Sequence, residues 1–170
     1  MMKRDYWVGF VAVGMLAVAA FVAHARGVSD TDFIRKATVA NRFEIESSQL
    51  ALDKAKDGKV KDFARQMIDD HTETGQKFRK ALAASKADVE QPKELDAKHR
   101  QLLDELAALS GDAFDRRYVA IQADAHKEAV KLFRDYSNTG EDETLKRFAG
   151  ETLPALSEHL EHVQEIKASR

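Results

Sequence analysis

Apolar residues recur three and four positions apart through most of the chain after Ser29, with charged residues between them. This spacing is typical of helices that bury one side and expose the other. With eight glycines, two prolines and few β-branched residues, the composition favours helix over strand. The pattern predicts four long helices, at about Asp30–Lys56, from Gly58 to Ser85, at Asp112–Ser137 and at Asp142–Lys167.

The breaks between these helices predict how they connect. Asp57-Gly58 is a tight turn, so the first two helices form an antiparallel hairpin, and the turn at 138–140 joins the last two. Between the hairpins, Lys86–Lys93 loses the apolar period and a short helix follows at about Glu94–Leu109. The sequence therefore predicts an all-α four-helix bundle with one long crossover that carries an extra short helix. Pro154 lies inside the fourth long helix and predicts a kink there.

The first 25 residues have the pattern of a signal peptide. Lys3 and Arg4 precede an apolar run from Val8 to Val22, and Ala23-His24-Ala25 is a small-x-small cleavage site. We expect cleavage after Ala25, a single mature domain at residues 26–170, export to the periplasm and no stable membrane span thereafter. The alternative is an uncleaved membrane anchor, because the apolar run is at the long end for a signal peptide.

Composition and motifs exclude several classes of function. The 27 basic and 29 acidic residues are spread along the chain, so no face for nucleic acid is predicted. The absence of cysteine excludes disulfides, thiol catalysis and cysteine-bound zinc. A phosphate-binding glycine loop, a serine nucleophile elbow and a zinc-protease helix motif are all missing. No catalytic residue is predicted and a non-enzymatic protein is favoured; a homo-oligomer and a small-molecule partner stay open.

Each long helix carries one polar residue on its apolar stripe, close to the helix midpoint. In the third helix, for example, the histidine lies seven residues after Val119 and seven before Phe133. Helices of similar length packed side by side bring their midpoints into one layer, so one carboxylate and three imidazoles should converge there. These residues are Glu44, His71, His126 and His159.

Such a layer suits one transition metal ion. Neutral imidazole and carboxylate are ligands for copper, iron, manganese or zinc, and Asp70 or Gln122 would orient an imidazole by accepting its other N–H. The alternative is a metal-free polar network that fixes helix register, with Glu44 neutralising a charged histidine. His162 is expected to be a solvated partner of Glu158, and His99 to be exposed.

Three further functions are consistent with the same layer. An oxidoreductase would use an open coordination position on the metal, with Tyr118 or Tyr136 nearby. A non-enzymatic envelope or stress protein would act through its charged surface or by association. A haem bundle would use two of the histidines as axial ligands.

Several short motifs are spread over the mature chain. The motifs are Phe33 with Ala37, residues 41–45 (NRFEI), Phe63-Ala64, residues 67–71 (MIDDH), Gly111 with Phe114-Asp115, Tyr118-Val119 through Gln122 to His126, Leu153-Pro154 and His159-Leu160. Together they resemble the DUF4142 family of exported bacterial proteins. The resemblance implies a ferritin-like four-helix bundle, export to the periplasm and a similar placement of the four central residues, but it is silent on activity.

The ferritin-like comparison does not extend to di-iron chemistry. Di-iron bundles carry a glutamate three residues before a histidine on two of their helices. Here Ile68, Ala123 and Leu156 occupy the positions three before the central histidines, and none of these side chains can ligate a metal. A site for a single ion is therefore the better form of the metal hypothesis.

Overall fold

The structure is a computed structural model that describes residues 27–169. The predicted signal peptide lies outside the described residues. Within the described range the chain is entirely helical, without a strand, which confirms the predicted ferritin-like four-helix bundle with an extra short helix. The helices are α1 (Asp30–Lys54), α2 (Gly58–Ala84), α3 (Ala97–Ala107), α4 (Gly111–Thr139) and α5 (Glu143–Ala168).

The four long helices form a square in which each packs antiparallel to its neighbours. The hairpins are α1–α2 and α4–α5, and they pack together through α1 against α4 and α2 against α5. At one end, Asp115 near the start of α4 accepts from the backbone N–H groups of Lys56 and Asp57 at 3.0 Å each. At the other end, the Tyr136 hydroxyl donates to Asp30 at 2.6 Å. The α2–α4 connection therefore runs the length of the bundle, and its helix α3 packs on α1 and α4.

Local sequence sets where the helices begin. The side chains of Ser29, Asp57, Asp96 and Asp142 accept hydrogen bonds from backbone N–H groups in the first turns of α1, α2, α3 and α5. The start of α4 differs, because its first residue, Gly111, has a φ of +57°. This left-handed conformation favours glycine over any residue with a β-carbon.

The hydrophobic core is divided into two clusters by the polar layer. One cluster includes Phe63, Met67 and Val163, and the other includes Phe78 and Leu156. Along each of α2, α4 and α5, the central histidine lies between a member of one cluster and a member of the other. The predicted interruption of the core at mid-height is therefore present.

Helix α1 buries two faces, where the sequence pattern predicted one. Val39 and Phe43 are buried in the same cluster as Leu95 of the connection, because α3 and its preceding segment cover this side of α1. Ala40 and Leu52, which were predicted to point inward, are partly exposed. The predicted short helix also begins later, at Ala97 instead of Glu94, since Asp96 caps it.

The last helix continues through its proline. Pro154 lies inside α5 and has no N–H to donate to the carbonyl of Gly150. The kink at this point stays a prediction. Among the helices of residues 27–169, none combines the length and apolar character needed to cross a bilayer.

Candidate metal centre

Three histidines from three helices meet at the centre of the bundle. His71 on α2, His126 on α4 and His159 on α5 are 5%, 1% and 4% exposed. Their ring centroids are 5.4 to 5.8 Å apart. One ring nitrogen from each lies within 4.8 Å of the others. We call these three residues the histidine group.

Each imidazole of the histidine group is held by an oxygen atom on its outer side. His71 donates from Nδ1 to the side-chain oxygen of Asn41 at 3.1 Å. Nδ1 of His126 bonds the backbone carbonyl of Gln122 at 3.0 Å, and Nε2 of His159 bonds a carboxylate oxygen of Asp70 at 2.8 Å. These oxygens accept a hydrogen bond, so the proton of each neutral ring is on the outer nitrogen and the lone pair is on the inner one.

The inner nitrogens are buried without a hydrogen-bond partner among the described residues. They are Nε2 of His71, Nε2 of His126 and Nδ1 of His159. A buried polar atom that lacks a partner carries an unrecovered desolvation cost, and native interiors rarely leave several together. Three neighbouring imidazole nitrogens, each with a free lone pair, could together bind a cation.

Asp70 and Gln122 were the predicted acceptors of imidazole protons, and only Asp70 accepts through its side chain. Asp70 binds His159 through its side chain, whereas Gln122 binds His126 through its backbone carbonyl and donates its side-chain amide to Ser47 at 3.0 Å. The acceptor for His71 was not predicted. Asn41 precedes Glu44 by three residues, and this spacing, which places both on one face of α1, was the available signal.

A glycine leaves room for Asn41. Gly75 is buried on α2, and a β-carbon at this position would lie 3.0 Å from the side-chain nitrogen of Asn41. Such a distance is tighter than an ordinary van der Waals contact, so Asn41 would have to shift. The orientation of His71 therefore depends on residues from both helices of the first hairpin.

Glu44 shares the layer but lies beside the histidine group instead of within it. Its Oε1 is 3.9 Å from Nδ1 of His126, which is the outer nitrogen of that ring. Its Oε2 is buried and has no hydrogen-bond partner in the described part of the chain. Glu44 therefore lies at the same depth as His126, on the side of that ring that faces away from the inner nitrogens.

Burial shifts the protonation equilibria of the layer. Desolvation lowers the pKa of His126 to about 4, against a smaller opposing effect of the Gln122 carbonyl. Desolvation also lowers the pKa of His71 and of His159, and repulsion between the imidazoles adds to both shifts. The same burial raises the pKa of Glu44 to about 8. Near neutral pH the imidazoles are therefore uncharged, which is the form that binds a metal.

The remaining histidines lie outside the group. His162 is exposed, as predicted, but its partner is the side-chain oxygen of Gln66 at 3.2 Å and not Glu158. The prediction that His99 is exposed was wrong. Its side chain is only 16% exposed, because the ring packs on Phe43 with centroids 5.0 Å apart and bonds Asp96.

The two tyrosines considered for redox chemistry have structural partners. Tyr118 shares a 2.8 Å hydrogen bond with Ser48, and its ring packs on Phe63, which in turn packs on His126. Tyr136 bonds Asp30 at the end of the bundle. Each hydroxyl is thus engaged with a residue outside the histidine group.

The sequence of the chain matches one family over nearly all of its helical part. Residues 16–166 match the family described as "Domain of unknown function (DUF4142)". The chain belongs to the DUF4142 family. The match begins inside the apolar run of the predicted signal peptide and ends near the last turn of α5. No curated protein matches this DUF4142 chain in sequence.

Solved structures with a similar fold include two metal-bound forms of one protein, CopM. CopM in its Cu(II)-bound form has a TM-score of 0.68 at 19% identity, over 83% of this chain and 97% of CopM. CopM in its Ag-bound form has a TM-score of 0.61 at 21% identity, over 83% and 96%. The DUF305 protein from Streptomyces coelicolor has a TM-score of 0.64 at 17% identity, over 81% and 89%. At these identities the likeness is one of fold.

Proposed function

We propose that this DUF4142 protein is a non-enzymatic metal-binding protein that holds one copper ion between His71, His126 and His159. The observation that carries the proposal is the set of three inner imidazole nitrogens, which are buried, close together and unpaired within residues 27–169. A cation at their centre would give all three lone pairs a partner. Glu44, which lies at the same depth, supplies a carboxyl beside the site and is not one of the direct ligands.

The spacing of the inner nitrogens supports this assignment. A metal ion bound to imidazoles at about 2.0–2.1 Å requires its nitrogen ligands to be roughly 3.3–3.6 Å apart. The nitrogens of the histidine group lie within 4.8 Å of one another, so inward shifts of about an ångström complete the site. The three outer hydrogen bonds keep the rings aimed at the same point during that movement.

Copper is the metal that the donor set favours. Imidazole suits copper, and the affinity of a nitrogen site for divalent ions rises along the first transition series to copper. Three neutral rings without a cysteine or a bridging carboxylate do not favour iron clusters or di-iron centres. The similar fold of CopM, whose solved forms contain Cu(II) and Ag, agrees with this choice.

A metal-free polar network explains the layer less well. In a polar network that fixes helix register, the side chains hydrogen-bond one another, because each buried polar atom without a partner costs about 1–3 kcal/mol. Here the hydrogen bonds of the histidine group within the described chain all go outward, and its inner nitrogens have no hydrogen-bond partner there. A cation bound between the three rings accounts for this arrangement better than a network that fixes helix register.

The sequence pattern of residues 1–25 leads us to propose that this binding takes place outside the cytoplasm, after export through the signal peptide. Mass analysis of the exported protein tests this part separately. A chain that begins at Arg26 supports it, and a chain that retains Met1 contradicts it.

Metal analysis of the purified mature protein tests the binding itself. The protein is dialysed in parallel against Cu(II), Zn(II), Mn(II) and Fe(II), and bound metal is measured per chain. We expect one tightly held copper ion, with weaker retention of the others, and loss of that ion in a variant with His71→Ala and His126→Ala. His162→Ala is the matched control, because this histidine is exposed and outside the group. Retention of copper by the double variant would contradict the proposal.

A further inference from the structure

Two spaces approach the centre of the bundle from the side of α1 and α4. The inner cavity has a volume of about 30 Å³, room for about one water, and is lined by His71, His126 and Asn41 among others. The outer groove has a volume of about 690 Å³ and lies between α1, α4 and the segment that leads into α3. The groove is large enough for a hydrated ion with several water molecules.

The two spaces share a wall that is one layer of side chains thick. Ala40 and Glu44 of α1 and Ala129 of α4 line both the inner cavity and the outer groove. We call these three residues the α1–α4 seam. Two of them are alanines, so no long side chain has to move aside for an ion to pass between the helices. The third is the buried carboxyl beside His126.

Glu44 is placed to receive a cation from the groove. It is only 4% exposed, its Oε2 has no hydrogen-bond partner among the described residues, and its Oε1 lies 3.9 Å from His126. The surrounding groove floor is apolar, with Val39, Phe43 and Leu132. An ion that enters an apolar seam must lose water ligands, and the Glu44 carboxyl, which releases its proton as the ion binds, replaces one of them with an oxygen ligand.

The acidic side chains at the rim of the groove have basic or histidine partners, and Arg35 and Lys36 add positive charge to the same rim. Lys98 bonds Glu128, and Lys131 bonds Asp135 across one turn of α4. These ion pairs leave Glu44 as the carboxyl at the floor that has an unpaired oxygen in the part of the chain that the structure describes. The paired carboxylates at the rim therefore do not hold a cation before it reaches Glu44.

We propose that the α1–α4 seam is the route by which the metal ion reaches the histidine group, and that Glu44 is the transfer ligand on this route. This inference rests on the proposed metal-binding function, and it adds where the ion enters and which residue hands it to the imidazoles. The competing route passes Asp70, whose side chain is 43% exposed beside His159 between α2 and α5.

The rate of copper uptake tests the route. Purified mature protein is mixed with Cu(II) in a stopped-flow instrument, and quenching of tyrosine fluorescence gives the rate while the final amplitude and metal analysis give the occupancy. Ala129→Leu fills the seam, and we expect uptake to slow by roughly ten-fold or more because an ion now needs displacement of packed side chains. Glu44→Gln should also slow uptake, and both variants should reach the wild-type occupancy.

Two further variants keep the test decisive. Ala125→Leu is the matched control, because Ala125 lines the groove but not the inner cavity, and its uptake rate should equal that of wild type. Ala129→Gly widens the seam and should accelerate copper uptake. This variant tests the route even if Ala129→Leu does not fold.

The failure of the route and the failure of the binding site give different results. Wild-type rates in Ala129→Leu, Ala129→Gly and Glu44→Gln at full occupancy would overturn the route and leave the proposed function standing. A wild-type protein that takes up no copper would overturn both.

Discussion

The side-chain oxygen of Asn41 accepts a 3.1 Å hydrogen bond from Nδ1 of His71, across the interface between α1 and α2. This bond fixes the tautomer of His71, so its Nε2 keeps the lone pair, and the ring lies 5.8 Å from that of His126 and 5.7 Å from that of His159. The other two imidazoles are fixed in the same way by a backbone carbonyl and by Asp70. The three outer hydrogen bonds therefore determine which nitrogen of each imidazole keeps a lone pair for a metal.

Removal of the Asn41 amide should weaken metal binding without abolishing it. Loss of an oxygen that orients a ligating histidine typically costs about 10- to 100-fold in metal affinity, so we expect a loss of this size in Asn41→Ala at unchanged stoichiometry. Competition titration with Cu(II) measures the change. Asn138→Ala is the control, because this asparagine is exposed near the end of α4. An unchanged affinity in Asn41→Ala would show that His71 is oriented by other contacts.

Gly75 and Gly150 offer a matched pair of helix glycines. Outside its own helix, a β-carbon at position 150 would meet Ser137 at an ordinary 3.9 Å, whereas one at position 75 would press on Asn41 at 3.0 Å. Glycine to alanine in a helix stabilises by about 0.5–1 kcal/mol when nothing is disturbed. We expect that gain, with unchanged copper affinity, in Gly150→Ala. In Gly75→Ala the gain should be smaller and the copper affinity lower; equal affinities in calorimetry would contradict the role given to Gly75.

The carboxyl of Glu44 should make the metal-free protein less stable as the pH rises. Its pKa is about 8 in the folded protein because it is buried, while an unfolded chain releases the proton near the ordinary value of 4.5. Between these values the folded state binds more protons than the unfolded state, so stability falls with rising pH.

Glu44→Gln should remove this pH dependence. We expect equal stability of variant and wild type below about pH 4.5, and a growing advantage of the variant, on the order of a few kcal/mol, by pH 8. Urea unfolding across this range measures the difference. Glu46→Gln, two residues further along α1 and partly exposed, is the control. A variant that is less stable than wild type at pH 8 would mean that Glu44 is ionised and paired in the folded state.

Two aspartates near the start of α4 should differ strongly in their effect on stability. Asp115 is 1% exposed and accepts from the backbone N–H groups of Lys56 and Asp57, which form the α1–α2 turn. Asp112 makes an exposed ion pair with Lys56. We expect Asp115→Ala to lower the free energy of unfolding by about 2–4 kcal/mol, because the two N–H groups of the turn lose a buried, charged acceptor, and Asp112→Ala by less than about 1 kcal/mol. Similar losses in thermal or urea unfolding would contradict this difference.

The sequence predicted at which level of the bundle the four polar residues lie, but not how each side chain is oriented or what covers α1. Helical periodicity fixes which residues lie on a buried stripe, so it brought Glu44, His71, His126 and His159 into one layer. Periodicity does not fix the direction of a side chain within the layer, and Glu44 therefore lies on the outer side of His126. Periodicity also does not predict the second buried face of α1, at Phe43. That face is buried because the crossover segment, including Leu95, packs over it.

The most direct test of the account is the ligand set of copper in the loaded protein. Electron paramagnetic resonance of the Cu(II) form should show nitrogen hyperfine coupling from imidazoles, with one nitrogen fewer in His126→Ala and an unchanged spectrum in His162→Ala. This result would assign the ion to the histidine group. A spectrum that is the same in wild type and His126→Ala, or one that shows oxygen ligands alone, would contradict the central claim that His71, His126 and His159 together hold the metal.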